Sequence, residues 1–363
     1  MPRPRLGLII LFLLTGGCDT FSGATTPTTD AAVDAPAGDD GGALPDAAID
    51  GGGGAERTVV LIGGINGVLA TGGYSGETYI GRVTATGIAW RTGPTLSLPT
   101  AYGCAFAAGA RVYLVGGATT TTMPVQTQWL LPRDSSPAWT VDANLGTPRY
   151  GHACAVNDGR VVVAGGIARE NQAILDTTEI GTLSTTESIA WSAGPPLSRP
   201  VSNPGAAMVA GGMFLGGGLT LANACDAQVR FANLPEGPPR WTDVSTLDPC
   251  RSASALAAVG KTVYLVGGRK NAGNELLRQV DVLTTNGSTT PTLTNATQLT
   301  VPRAHAAAAV IGGRLYVFGG FTSPGLPTAE VLSMEITGAG ALGPPRTETP
   351  IPVALAAFAF ADL

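Results

Sequence analysis

The side chains that could do chemistry are few, and they recur. His152 and His305 are the only imidazoles in 363 residues, and each closes a Pro-Arg turn (Pro148-Arg149-Tyr150-Gly151-His152 and Pro302-Arg303-Ala304-His305). Acid/base work would need a second titratable group beside each ring. A shared turn position reads instead as an imidazole that caps the turn. Arg149, Arg199, Arg251 and Arg303 follow one another at steps of 50, 52 and 52. A guanidinium at one point of successive units reads as a structural hydrogen-bond hub, since it carries five donors. Two further clusters, Arg169-Glu170-Asn171 and Arg269-Lys270-Asn271, join charge to an amide, and with Tyr74 they form the candidate binding face. No nucleophile elbow, P-loop or HExxH motif occurs, nor any CxxC or Cys/His cluster. No catalytic residue, cofactor or metal site is therefore expected.

What positions these residues is a repeat. Six glycine doublets each close a short β-rich run, as in RVYLVGG from Arg111 or RLYVFGG from Arg314. They are Gly63-Gly64, Gly116-Gly117, Gly165-Gly166, Gly216-Gly217, Gly267-Gly268 and Gly319-Gly320, at steps of 53, 49, 51, 51 and 52. A period near fifty means one small sheet repeated. In the last unit PRAHAAAAVI reads as a first strand, GGRLYVFGG as a turn and second strand, and AEVLSMEITG as a third, with a fourth near Leu342. Four units carry a Trp in the fourth strand: Trp90, Trp139, Trp191 and Trp241. Fifty-one Gly and 27 Pro suit such a chain of short strands and turns.

A strand ending in Gly-Gly, a third strand, a Trp strand and a Pro-Arg turn together resemble the kelch repeat, over about Arg57 to Leu363. The resemblance implies an all-β propeller of six four-stranded antiparallel blades around a central channel. The Trp of each outer strand is then expected to pack between blades, its ring covering area while its N–H stays reachable. Blade one has a second strand at Arg57 to Ile62 but no first strand before it, because the run Gly51 to Gly54 intervenes. One more period places a first strand near residue 356, where the apolar run from Val353 to Ala361 ends the chain. That run is expected to pair with the Arg57 strand and close the ring, removing the free edge. A register using Gly72-Gly73 as the first doublet would leave the C-terminal run unpaired.

The blade plan also sorts the cysteines. Cys225 follows the second strand of blade four and Cys250 lies in the turn into blade five, both on one predicted face, so a disulfide between them is topologically open. Cys104 and Cys154 lie 12 and 11 residues before their doublets. That offset turns them to opposite faces of their strands and predicts buried free thiols.

The N-terminus gives an address. Arg3 and Arg5 precede nine apolar residues, Leu6 to Leu14. Spanning a bilayer takes about 20 apolar residues, so the run fits a signal peptide over 1–17. Thr15-Gly16-Gly17-Cys18 resembles a bacterial lipobox, with Thr15 where Leu is commoner, and implies a lipidated Cys18. Residues 18–56 are mostly Asp, Ala, Gly, Thr and Pro and read as a disordered acidic tether, similar to those of Myxococcota-type lipoproteins. The exported, lipid-anchored domain is then 57–363.

A net charge of −5 excludes a nucleic-acid partner, which calls for a basic surface. Some kelch propellers are enzymes. The copper radical oxidase form needs two His beside ligand tyrosines, whereas these His fall in blades three and six, on opposite sides. A sialic-acid-epimerase form needs acid/base groups at the channel mouth. The first reading is therefore a monomeric, non-enzymatic binding or scaffold module, recognising an envelope protein or glycan through loops of one face. The second is an epimerase-like enzyme acting on a sugar at the channel mouth.

Overall fold

A computed structural model describes residues 56–67, 73–120, 126–184, 188–209, 211–221, 224–234, 240–270, 275–284 and 291–363. Residues 1–55, Cys18 among them, and Asn271 lie outside these ranges.

Six four-stranded antiparallel sheets form a β-propeller. Blade three runs Ala153–Asn157, Arg160–Ala164, Thr178–Leu183 and Ile189–Gly194, from the axis outward. The chain builds such sheets because each second strand is a short apolar run with a β-branched or aromatic residue at its centre, ended by a glycine doublet. First strands are rich in alanine, as in ALAAV of Ala255–Val259, which lets neighbouring blades approach closely near the axis. Apolar side chains are buried between the sheets rather than in one central core. Phe318 of blade six, for example, meets Trp90 and Phe360 of blade one at ring-centroid distances of 6.4 and 5.1 Å.

Ring closure is as expected. Ala359–Asp362 pairs antiparallel with Arg57–Ile62, in the register Val59 with Asp362 through Ile62 with Ala359. Thr58 and Leu363 exchange two further backbone hydrogen bonds, of 2.9 and 2.8 Å, and Arg57 reaches the Asp362 carboxylate at 3.3 Å. In blade six the fourth strand is Arg346–Thr347, later than Leu342, which forms only a bridge to Ile336. The outer tryptophans join blades in three cases. Trp139 and Trp191 each donate an indole N–H at 3.0 Å to a carbonyl of the preceding blade, Pro94 and Ala143, while Trp90 reaches Thr349 at 3.4 Å. The Trp241 N–H is buried with no acceptor among the described residues.

Two disulfides cross blade junctions. Cys225–Cys250 joins the loop of blade four to the turn into blade five, with Cα atoms 5.7 Å apart. Cys104–Cys154 corrects the free-thiol expectation: the two are bonded between blades two and three, with Cα atoms 6.0 Å apart. The one-residue offset separates the side chains only within a single sheet. Across a junction, the face of blade two that looks forward must meet the face of blade three that looks back, and these are opposite strand faces. The offset therefore turns the two thiols toward each other.

Candidate functional site

The glycine doublets act at the blade junctions. Both glycines of each pair adopt positive φ, and the second donates its N–H to a carbonyl of the next blade. The six acceptors are Thr100, Arg149, Val201, Arg251, Arg303 and Leu355, at 2.7–3.0 Å. A Cβ on the first glycine would fall 2.6 Å or less from that same carbonyl oxygen in every blade, so no other residue fits. This geometry corrects the doublet of blade four to Gly217-Gly218. Gly216 is instead the last residue of the strand Gly212–Gly216, and its φ is not positive.

Two residues beyond each acceptor the chain enters the left-handed region: Tyr102, Gly151, Asn203, Ala253, His305 and Ala357, with φ of 52–59°. Each of these six donates its N–H to the carbonyl of the preceding member, at 2.8–3.0 Å, and Tyr102 donates to Ala357. The result is a closed head-to-tail ring of hydrogen bonds about the axis. Its large members, Tyr102, Asn203 and His305, alternate with Gly or Ala and are all buried. Both ring nitrogens of His305 and both amide atoms of Asn203 are buried with no hydrogen-bond partner among the described residues. The backbone ring thus encircles the axis, with the Tyr102, Asn203 and His305 side chains buried at its level.

Above the ring lies a cluster of aromatic and cationic groups. Tyr74 from blade one packs edge-on against Tyr102 at 6.1 Å, and Tyr102 against His305 at 5.8 Å. Tyr150 donates its hydroxyl to Gln172 Oε1 at 2.7 Å, and Gln172 Nε2 donates to the Arg169 carbonyl at 3.0 Å. Arg169 approaches Thr119 Oγ1 at 3.4 Å. The residue directly after the doublet is apolar in five blades (Ile65, Ala118, Ile167, Leu219, Phe321) and is Arg269 in blade five, 6% exposed.

The electrostatics of this mouth are one-sided. Burial, and then the Arg269 charge, hold the His305 imidazole well below its ordinary range, so it is neutral. Burial raises the Tyr102 hydroxyl far above its ordinary range, a shift that Arg269 opposes. Burial raises Tyr74 and Tyr150 as well, with Arg169 opposing in each case. The hydroxyls therefore stay protonated donors beside two guanidinium groups. Burial likewise lowers the Arg269 guanidinium, and Tyr102 opposes the shift, but an arginine remains charged at any pH a protein meets.

Of the residues singled out in the sequence, Tyr74, Arg169 and Arg269 meet at the mouth. Glu170 and Asn171 are exposed at the rim, where Asn171 Oδ1 accepts the Ala173 N–H at 3.1 Å. Lys270 lies 3.8 Å from Glu275. Asn271 is outside the described residues. Tyr102, Tyr150, Thr119 and Gln172 were not foreseen. The one signal for Tyr102 is its place in the 49-to-52-residue series of left-handed positions, which no residue type marks.

Three of the four repeating arginines are hubs. Arg149 donates to the carbonyls of Gly165 and Thr177, both at 2.9 Å, and to Glu179 at 2.8 Å. Arg251 pairs with Asp281 and Arg303 with Glu330, and all three arginine side chains are fully buried. Arg199 is not a hub: its side chain is 46% exposed and 3.7 Å from Asp226. It stands two residues before the register position, which Val201 fills, and buried Arg230 on the third strand binds Asp226 at 2.5 Å instead. His152 and His305 also differ: His305 belongs to the ring, whereas His152 lies one position beyond it, under Gly116.

Residues 102–320 match the family model described as the KLHDC2/KLHL20/DRC7 Kelch-repeats domain. No curated protein matches the chain. Among solved structures, that of YjhT shares the fold with a TM-score of 0.64 at 11% identity, covering 80% of this chain and 97% of that one.

Proposed function

The chain belongs to the kelch-repeat family of β-propellers, and on that premise we propose that it is a non-enzymatic binding module of the bacterial cell envelope. It recognises a glycan or a protein through the mouth that holds Tyr74, Tyr102, Tyr150, Arg169 and Arg269. The observation that carries this reading is the convergence of three protonated tyrosines and two guanidinium groups above the ring of backbone hydrogen bonds. Tyr74 and Arg169 are partly exposed there, an aromatic face and a positive charge backed by the buried Tyr102, Tyr150 and Arg269, and so favour a hydroxyl-rich or anionic group. Acid/base catalysis instead favours groups that titrate near the working pH, whereas His305 is shifted down and the tyrosines up. That contrast favours binding over an epimerase-like reaction at the same mouth.

Display follows from the N-terminal residues: export through residues 1–17, lipidation of Cys18, and a tether to the propeller. Two disulfides in the propeller suit an oxidising, exported location. From residue 56 onward, acidic and basic residues are equal in number, so the net charge of −5 comes entirely from the residues before the fold.

A thermal-shift screen of glycans and envelope extracts, repeated with Tyr74→Ala and Arg269→Met, tests the mouth. Hits that both variants abolish support it. Hits untouched by either, or turnover of a hit, overturn the binding reading. Cys18→Ser tests the address: release from membranes is expected, and unchanged retention without lipid on Cys18 refutes the anchor.

A further inference from the structure

The two disulfides lie in different settings. Cys104 and Cys154 are fully buried between two sheets, while Cys225 and Cys250 are only partly covered, on the mouth face. At the Cys225 end the bond adjoins a group that orders blade four, and at the Cys250 end one that ties blade four to blade five. Asp226, next to Cys225, is buried, donates its N–H to the Gly218 carbonyl at 2.8 Å, and binds Arg230. Arg251, next to Cys250, pairs with Asp281 and accepts the Gly218 N–H at 3.0 Å. One residue further, Ser252 exchanges backbone hydrogen bonds of 2.9 and 2.7 Å with Arg269, and Ala253 then enters the axial ring. A path of three residues thus runs from Cys250 to the buried cation of the mouth and to the ring beneath it.

We propose that Cys225–Cys250 is a thiol-reducible latch on the mouth, and that Cys104–Cys154 is a permanent staple. A dithiol reductant attacks the accessible sulfur and passes through a mixed disulfide. It leaves as its own disulfide, having given two electrons and two protons to form two cysteine thiols. The blade four–five junction then loses its cross-link, and the Ser252–Arg269 pair and Ala253 loosen, because local stability follows the constraints on each segment. This goes beyond the binding reading and holds whatever the ligand is.

The test uses the full chain with Cys18→Ser, treated with limiting dithiothreitol. Alkylated thiols are located by mass spectrometry, and amide exchange is followed in parallel. Cys225 and Cys250 are expected to open at least about tenfold faster than Cys104 and Cys154. Exchange at Ser252, Ala253 and Arg269 should rise by about tenfold once they open. The double variant Cys225→Ser/Cys250→Ser should reproduce that rise without reductant, and if it does not fold the reduction experiment alone decides. Opening of all four cysteines together, or unchanged exchange at the three amides after Cys225–Cys250 opens, overturns the proposal.

Discussion

Adding one methyl group at either of two adjacent glycines should have unequal effects. Gly217 has φ +66°, and a Cβ there would run into the Arg251 carbonyl oxygen, which already accepts the Gly218 N–H. The left-handed conformation costs a non-glycine residue about 1–2 kcal/mol. Forcing a packed backbone apart adds about 1–3 kcal/mol. Gly217→Ala should therefore lower stability by about 2–5 kcal/mol on these two contributions together. At Gly216 φ is not positive, and the nearest atoms to a Cβ are Leu265 and Leu256 methyls at 3.5 and 3.7 Å, an ordinary contact. Gly216→Ala should change stability by less than about 1 kcal/mol, because narrowing the unfolded ensemble works in its favour. Urea midpoints of the two variants, measured on the full chain with Cys18→Ser, give the comparison directly. Equal losses at the two positions, or a larger loss at Gly216, would refute the junction account of the doublets.

Three other outcomes follow from the same geometry. Removing Val353–Leu363 deletes the first strand of blade one and bares the edge of Arg57–Ile62, so the truncated chain should aggregate; a cooperative melt at the intact temperature would contradict this. Arg251→Ala leaves the buried Asp281 with amide donors from Gln279 and Asn295 but no opposing charge and should cost about 3–5 kcal/mol, while Arg199→Ala, at an exposed pair, should cost less than about 1 kcal/mol, both read from urea midpoints. Burial, and then the Arg149 charge, push His152 down to about 3 from an ordinary 6.5. The neutral ring stabilises the fold fully above pH 6.5, and below it the unfolded chain takes up the proton first. Stability from this residue should fall by about 1.4 kcal/mol per pH unit until about pH 3, and His152→Asn should flatten the acid limb of the stability profile by that slope.

The propeller was legible because one local requirement, two glycines at positive φ, recurs in every blade and leaves a mark in residue type. Its exact phase was not always legible. The run Gly216-Gly217-Gly218 admits two doublets, and only the Arg251 carbonyl of the next blade chooses between them. Arg199 shows the same limit: its spacing matched the other arginines, yet it stands two residues out of register, and Arg230 took the buried role from another strand. The cysteine offset misled because strand periodicity assigns faces within a sheet, and the bond forms between sheets. For the mouth, Arg169, Arg269 and Tyr74 stood out as polar residues in loops. Tyr102 did not, since the ring position it occupies is also filled by Gly, Ala, Asn and His, and its backbone shape comes from neighbouring blades.

The axial ring has a consequence for how blades and loops divide their tasks. Six equivalent backbone links that bite head to tail have no first or last member, so the ring is shut twice, once about the axis and once by the C-terminal strand. Substitutions in the loops above touch neither closure, and the loops can change while the blades that carry them keep their places.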